Sequence, residues 1–293
     1  MGRPKGMSRP FRSRSVQDSD LVSPTYHPTA LGPDTMIGSS RIVSRTIRPR
    51  KRSFSTALSV DSLLRELRQL DTSSLCDADK TSGGNGIRVI APSIQAMNHR
   101  GDVPPSIMAG VATTVSFSEP DDFLPVMRAL ALEARADEVL VVNTLSSTKA
   151  VAGEIFVAEA RRKGLAGIVI DGPIRDTAHL DDVHSTKPMR MYATGATPYS
   201  GTTQSPGELH DTVTCGGVKV EPGDIVVGDD DGVVVGSVEA FSEIIPIAKK
   251  IQEIEGKLVD GITDNKSLAS MTNLEDHIQN RLEGKDSNLE FKV

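Results

Sequence analysis

Val151-Ala-Gly-Glu-Ile-Phe156 opens a helical stretch, and Gly164-Leu-Ala-Gly-Ile-Val-Ile-Asp-Gly-Pro-Ile-Arg-Asp176 follows it closely. The first run puts Gly153 and Glu154 at a helix start, with Ile155 and Phe156 in the first turn and the helix reaching to about Lys163. Gly164 offers the left-handed conformation at which helices commonly stop. Residues 166–171 are then a continuous apolar run of strand length, and a Gly-Pro turn delivers Arg175 and Asp176. A similar buried run precedes the helix at Glu138–Asn143. Strand, helix, strand in that order is a βαβ unit, for which parallel pairing is favoured. In an open α/β sheet both the helix N-terminus and the turn after the second strand lie at the strands' carboxyl ends, where ligands bind. Unpaired amides, a guanidinium and a carboxylate can therefore converge on one crevice. A plainer reading stays open beside it: an ordinary turn, with Asp176 capping the next helix.

The flanking sequence fits the same class. Leu63, Leu64, Leu67 and Leu70 recur at helical spacing, and Asp71-Thr72-Ser73 offers N-caps for a second helix. Residues 87–91 and 107–118 are β-rich. Phe123, Leu124, Met127, Leu130, Ala131 and Ala134 read as the apolar stripe of a helix begun by Asp121 and Asp122. Further β-rich runs follow at 189–193, 212–220, 224–228 and 232–236, with a tight turn at Asp231-Gly232. A last amphipathic stretch covers residues 237–262, where Pro246 is expected to kink or divide the helix. The expectation is an α/β domain over residues 57–262, followed by a polar extension over 263–293.

Residues 1–56 are a different material. They hold 11 Lys and Arg against 3 Asp, a balance of +8, and ten serines, with no sustained hydrophobic period. The other 237 residues carry 22 basic and 36 acidic groups, a balance of −14. The first segment cannot bury enough surface to offset its ordering entropy and reads as disordered. Its Arg- and Ser-rich character and the Arg52-Ser53-Phe54-Ser55 junction suit a mitochondrial presequence removed near residue 54, the alternatives being a merely disordered tail on a cytoplasmic protein or a nuclear signal at the basic run. The acidic body repels nucleic acid and anionic lipid. An aromatic content of 3% with no Trp leaves no stacking platform for bases. No apolar run approaches the roughly 18 residues needed to span a bilayer. Cys76 and Cys215 are too few for a disulfide framework or a zinc ribbon.

Other candidate motifs have plainer explanations. Walker loops, H-E-x-x-H, G-x-S-x-G and C-x-x-C are absent. Gly83-Gly84-Asn85-Gly86 precedes a strand and not a helix, so it reads as a turn and not a phosphate cradle. His179 and His184 would lie about 140° apart on a helix, out of register for one metal. Lys149 sits in a polar loop with nothing visible to activate it as a Schiff-base amine. Asp229-Asp230-Asp231-Gly232 lacks the other ligands of a calcium loop and reads as a hairpin turn.

The segment from Gly153 to Asp176 resembles the RraA-like family, which includes the 4-hydroxy-4-methyl-2-oxoglutarate aldolases and is often mislabelled dimethylmenaquinone methyltransferase. Gly153-Glu154, twenty intervening residues and Arg175-Asp176 match the family's pattern. Asp77-Ala78, Ala109-Gly110, Ala112-Thr113-Thr114-Val115, the run from Asp137 to Val142, and Pro222-Gly223-Asp224 with Asp231-Gly232-Val233 extend the match over roughly residues 60–260. The resemblance implies a compact swivelling-type β/β/α domain assembled as a homotrimer, or as trimers paired into a hexamer. It implies a metal-dependent lyase that cleaves a 4-hydroxy-2-oxo acid to pyruvate, with oxaloacetate decarboxylation as a side activity. It further implies that Asp176 binds Mg²⁺ or Mn²⁺ directly and that Glu154 holds metal-bound water. Arg175 would stabilise the enolate oxygen, and the amides of Ile155 and Phe156 behind Gly153 would hold the substrate carboxylate. Some relatives are instead non-catalytic regulators of RNA-processing machinery that lack the aspartate, so the alternative is a binding protein. The family's neighbouring-subunit glutamate has candidates in Glu253 and Glu255. Asn143-Thr144-Leu145-Ser146-Ser147 departs from the glycine- and aspartate-rich segment common in the family, which points to a different pocket wall.

Overall fold

Leucines spaced three and four apart give the first helix a wholly buried face, and that face begins the core. The protein is described from a computed structural model covering residues 59–97, 106–180 and 189–292. The expectations for residues 1–56 and for His184 fall outside the described residues. Helix α1 (Val60–Leu67) buries Leu63, Leu64 and Leu67, and the Ser59 hydroxyl accepts the Ser62 amide at its start. Helix α2 (Thr72–Thr81) is capped by Asp71, whose carboxylate accepts the Ser74 amide at 2.6 Å. The glycine-rich stretch after it is a turn, with Gly83 and Gly84 both at positive φ.

The strands follow in chain order: β1 (Ile87–Val89), β2 (Gln95–Ala96), β3 (Met108–Ser116), β4 (Glu138–Asn143), β5 (Gly167–Asp171), β6 (Pro173–Ile174) and β7 (Arg190–Ala193). After them come β8 (Gly195–Ala196), β9 (Glu208–Leu209), β10 (Val213–Cys215), β11 (Val218–Val220), β12 (Ile225–Gly228) and β13 (Val233–Gly236). One mixed sheet runs in the order β1-β13-β12-β3-β4-β5-β7-β2, with β9 pairing on β3. Its centre is parallel, β3 on β4 on β5 on β7, and its flanks are antiparallel. Parallel strands must be covered on both faces. Accordingly, Val139–Val142 and Ile168–Ile170 are fully buried.

Helices α3 (Leu124–Arg128) and α4 (Glu154–Lys163) cover one face, around Val126, Leu130, Val157, Ala160, Leu140 and Ile168. Helices α1, α2 and α5 (Val238–Thr263) cover part of the other, around Phe241, Ile244 and Leu67. The β10–β11 hairpin closes a third cluster containing Tyr192 and Cys215. Burial pushes both the Tyr192 hydroxyl and the Cys215 thiol strongly upward from their ordinary pKa values.

Two expectations are corrected here. The stripe over residues 123–134 is rotated: Val126, Ala129, Leu130 and Ala134 are buried, whereas Met127 and Ala131 are exposed. The cause is a π-helical turn over Ala129–Glu133, in which Ala134 donates to Ala129, five residues back, so a 3.6-residue period loses register. Pro246 does not divide α5, which runs for 26 residues. The proline lies on the exposed side, while Phe241, Ile244, Ile245 and Ala248 pack on the opposite side and hold the helix through the lost bond. Beyond α5 the buried Met271 packs back against Gly261, and helix α6 (Leu274–Leu282) follows.

The acidic run after β12 is a hairpin turn. Asp229, 6% exposed, accepts the amide and hydroxyl of Thr72 at 2.7 Å each, and its carbonyl accepts from the Tyr192 hydroxyl. Asp230 pairs with Arg190.

Candidate functional site

Helix α4 begins without a side-chain cap, because its N-cap residue is Gly153. The Gly153 carbonyl accepts from both the Phe156 and Val157 amides, each at 3.1 Å. The Phe156 N–H is therefore already engaged, and the first-turn amides without a hydrogen-bond partner among the described residues are those of Glu154 and Ile155. This moves the expected anion-facing pair one residue towards the helix start. Both amides point along the positive end of the helix dipole. At the other end Gly164 takes the left-handed conformation (φ 77°) and stops the helix as expected.

The Gly-Pro turn reaches this helix start because main-chain bonds hold it on both flanks. Val151 donates to the Pro173 carbonyl at 3.1 Å, and Arg175 donates to Ala152 at 3.0 Å. On the far side β6 pairs with β8, and Thr194 and Thr197 donate to Gly172 and Ile174. Gly172 is needed because a Cβ there would strike the buried Thr144 side chain. The turn therefore sets Arg175 and Asp176 against Gly153. A Cβ on residue 153 would collide with the Asp176 carboxylate and come within 3.1 Å of Arg175 Cγ.

Asp176 occupies the left-handed region (φ 59°, ψ 34°), which an aspartate tolerates at some cost. It precedes a short 3₁₀ turn, Thr177–His179, but its side chain makes no capping hydrogen bond. The capping reading of Asp176 is thereby removed. Instead Arg175 Nε lies 3.3 Å from Asp176 Oδ2, with both side chains more than a third exposed. Glu154 is half exposed, and its Oε2 lies 4.0 Å from His179 Nδ1.

Arg175, Asp176, Gly153, Ile155 and Phe156 line one pocket of about 220 Å³. Glu154 stands beside this group and is not part of its lining. Phe123, Met127, Ala150–Ala152 and Ser200 complete the wall. Ala150–Ala152 lead directly into the α4 start, whereas Phe123, Met127 and Ser200 reach the wall from a rotated helix and a distant loop that carry no motif. Asp121 and Asp122, read only as helix starters, anchor both. The Asp122 carboxylate accepts the amides of Leu124, Gln204 and Ser205 at 3.0, 2.7 and 2.7 Å. Burial pushes its pKa up, but the amides of Leu124, Ser205 and Gln204 and the Thr202 hydroxyl together hold it below the ordinary range. Asp121 likewise accepts the Thr148 and Lys149 amides. Lys149 itself lies 3.9 Å from Asp121 and over the Tyr199 ring, in a structural role.

The segment that departs from the family pattern has its own peculiarity. Leu145 and Ser146 both adopt positive φ (53° and 60°), a conformation that glycine would take without strain. Hydrogen bonds from Leu145 N to Asn143 Oδ1 and from Ser147 N to Thr144 fix it.

Among the described residues, no group of three or more His, Cys, Asp or Glu could enclose a metal ion. The donor set at the pocket is one partly exposed, uncapped carboxylate. That suits a hard divalent ion which keeps most of its waters, and it does not suit a caged transition metal.

A family described as RraA-like (Aldolase/RraA) matches residues 72–235. The chain belongs to the RraA-like family. It is 32% identical over 212 residues to an uncharacterized protein of Methanocaldococcus jannaschii, covering 71% of this chain and 93% of the relative. It is 29% identical over 203 residues to a Halalkalibacterium halodurans protein named "Putative 4-hydroxy-4-methyl-2-oxoglutarate aldolase", covering 68% and 88% of the two chains. Among solved structures it is similar to Streptomyces coelicolor RraAS2, described as an unusual member of the RNase ES inhibitor RraA protein family, at a TM-score of 0.54 and 28% identity over 71% and 98% of the chains. The mixed α/β fold is thus that of this RraA-like family.

Proposed function

We propose that this protein is a divalent-metal-dependent lyase that cleaves a 4-hydroxy-2-oxo acid to pyruvate by a retro-aldol reaction. The observation carrying this reading is the meeting of Arg175 and Asp176 with the α4 start, through Gly153 and Ile155, in one pocket. The aldolase name of the Halalkalibacterium relative supports it. Asp176 would hold Mg²⁺ or Mn²⁺, with Glu154 ordering the water around it. The bound ion supplies Lewis acidity at the 2-oxo group. The amides of Glu154 and Ile155 receive the C1 carboxylate. Arg175 faces the C2 oxygen, where negative charge develops as the C4 hydroxyl loses its proton and the C3–C4 bond breaks. The electron pair of that bond moves into C2–C3, C4 becomes a carbonyl, and protonation at C3 releases pyruvate. Loss of CO₂ from oxaloacetate gives the same enolate, so that decarboxylation is expected alongside.

The test is pyruvate release from 4-hydroxy-2-oxo acids with Mg²⁺, with chelator, and with Asp176→Ala. Activity should disappear reversibly with chelator, since an ion held by one carboxylate is weakly bound. The variant should be folded and inactive, because the residue lies on a turn held by main-chain bonds. Likeness to the Streptomyces protein supports one other reading, a non-catalytic regulator. Full activity in folded Asp176→Ala, or no pyruvate from any substrate, would leave that reading in place of the lyase.

A further inference from the structure

The chain beyond α5 is folded, yet it contributes little to the core. Its tail turns back on the start of α6. Lys292 donates to the Met271 carbonyl at 2.8 Å, Asn273 to the Glu290 carbonyl at 3.2 Å, and Glu290 to Asn273 Oδ1 at 2.8 Å. Met271, set against Gly261, ties this unit to α5. Helix α6 itself buries none of its nine residues. A helix that short does not persist in water on propensity alone and depends on packing of an apolar face. Here the apolar side chains face outward: Ile262, Leu268, Ile278, Leu282, Leu289 and Phe291 are between 44% and 78% exposed. At about 200 Å² for each such residue, the six present roughly 600 Å², the upper end of what a monomer leaves in one patch. An interface of standard size takes about 800 Å² from each partner, a little under two-thirds of it apolar. The face therefore suffices for one such contact. It lies beyond residues 72–235, which match the RraA-like family.

Charge selects the occupant. Residues 259–293 carry seven Asp and Glu against four Lys and Arg, which repels nucleic acid and anionic lipid. Along α6 the signs are divided by end, with Glu275 and Asp276 in the first turn and Arg281 in the last. A two-fold through the middle of α6 sets the helix antiparallel to its own copy, with Ile278 at the centre. The acidic first turn of each copy then lies level with Arg281 of the other, and the two helix dipoles oppose. We infer that this face packs on the same face of a second copy of the chain, across that two-fold. Such an interface is isologous and closed. It stands apart from the lyase reading.

The experiment compares the full-length wild type with Leu282→Glu and with Ile278→Glu. Mass is read by light scattering, α6 by amide hydrogen exchange, and the fold of the body by thermal unfolding. Neither residue is buried, so the melting temperature of the body should hold in both variants. The wild type should contain an even number of chains and each variant half that number, with α6 amides exchanging at least about tenfold faster. An odd number of chains in the wild type, or an unchanged mass in both variants, would overturn the inference. Faster α6 exchange without a change in mass would give the face to the chain's own basic first 56 residues or to a different protein, and would overturn it as well.

Discussion

Gly153→Ala isolates the contact on which the site depends. Its backbone is extended (φ −166°, ψ −163°), so alanine meets no conformational strain. The gain from a stiffer unfolded chain, about 0.4–1 kcal/mol, is roughly offset by the weaker preference for alanine at a helix N-cap. What remains is steric. The new methyl would overlap the Asp176 carboxylate and lie 3.1 Å from Arg175 Cγ. The turn cannot retreat as a body, because the bonds from Val151 to Pro173 and from Arg175 to Ala152 fix it. The side chains must rotate instead, at an expected cost of about 1–3 kcal/mol, or on the order of 2–10 °C in Tm. A displacement of about 1 Å at the carboxylate proposed to hold the metal should lower kcat/KM for pyruvate release by about 10²-fold. The decisive assay is a double-mutant cycle read by thermal unfolding. In an Asp176→Ala background the overlap with the carboxylate is gone, so most of the destabilisation by Gly153→Ala should vanish, a coupling of about 1–3 kcal/mol. Wild-type turnover in Gly153→Ala, with additive stabilities in the cycle, would refute the claim that glycine is there to admit the aspartate.

Arg175→Ala should lower kcat by about 10²–10³-fold while metal binding measured by calorimetry persists, and Arg175→Lys should recover part of the loss. Glu154→Gln should be milder, at about 10–100-fold. Asp122 titrates below its ordinary range when folded, so its contribution is complete above an unfolded pKa near 3.9 and fades as pH falls through the lower folded value. Asp122→Asn should therefore lower stability at pH 7 by about 1–3 kcal/mol and flatten the acid limb; an unchanged slope of stability against pH below 4 would count against it. For the basic N-terminal segment, sequencing of the native protein should begin near Ser55, and an intact chain recovered from cytosol would contradict import.

The βαβ unit and its ends could be read because each is fixed locally. Gly164 stops α4 by its own conformational freedom, and the interiors of β4 and β5, Val139–Val142 and Ile168–Ile170, are unbroken apolar runs. The hairpin at Asp231-Gly232 and the cap at Asp71 follow the same logic. The pocket wall could not be read in this way. Met127 lines it from a short helix, Leu124–Arg128, whose phase is broken by the π turn directly after it, and one extra residue in a turn leaves no trace in hydropathy. Ser200 arrives through bridges from Ala150 to Ser200 and from Asp122 to Thr202, which are long-range choices of the backbone. The engagement of the Phe156 amide by Gly153 is likewise a matter of tenths of an ångström at a helix end, below what spacing can resolve.

The support of the Arg175-Asp176 turn has a consequence for the history of such proteins. The bonds that tie the turn to the α4 start and to β8 run from main chain to main chain, and the Asp176 side chain contributes no capping bond. Its left-handed backbone would accept asparagine or glycine at least as readily. A lineage can therefore exchange that one carboxylate without dismantling the scaffold beneath it, keeping surface and stability while discarding chemistry. On such a scaffold the chemistry proposed for Asp176 can be lost or regained by a single substitution, without passing through an unfolded ancestor.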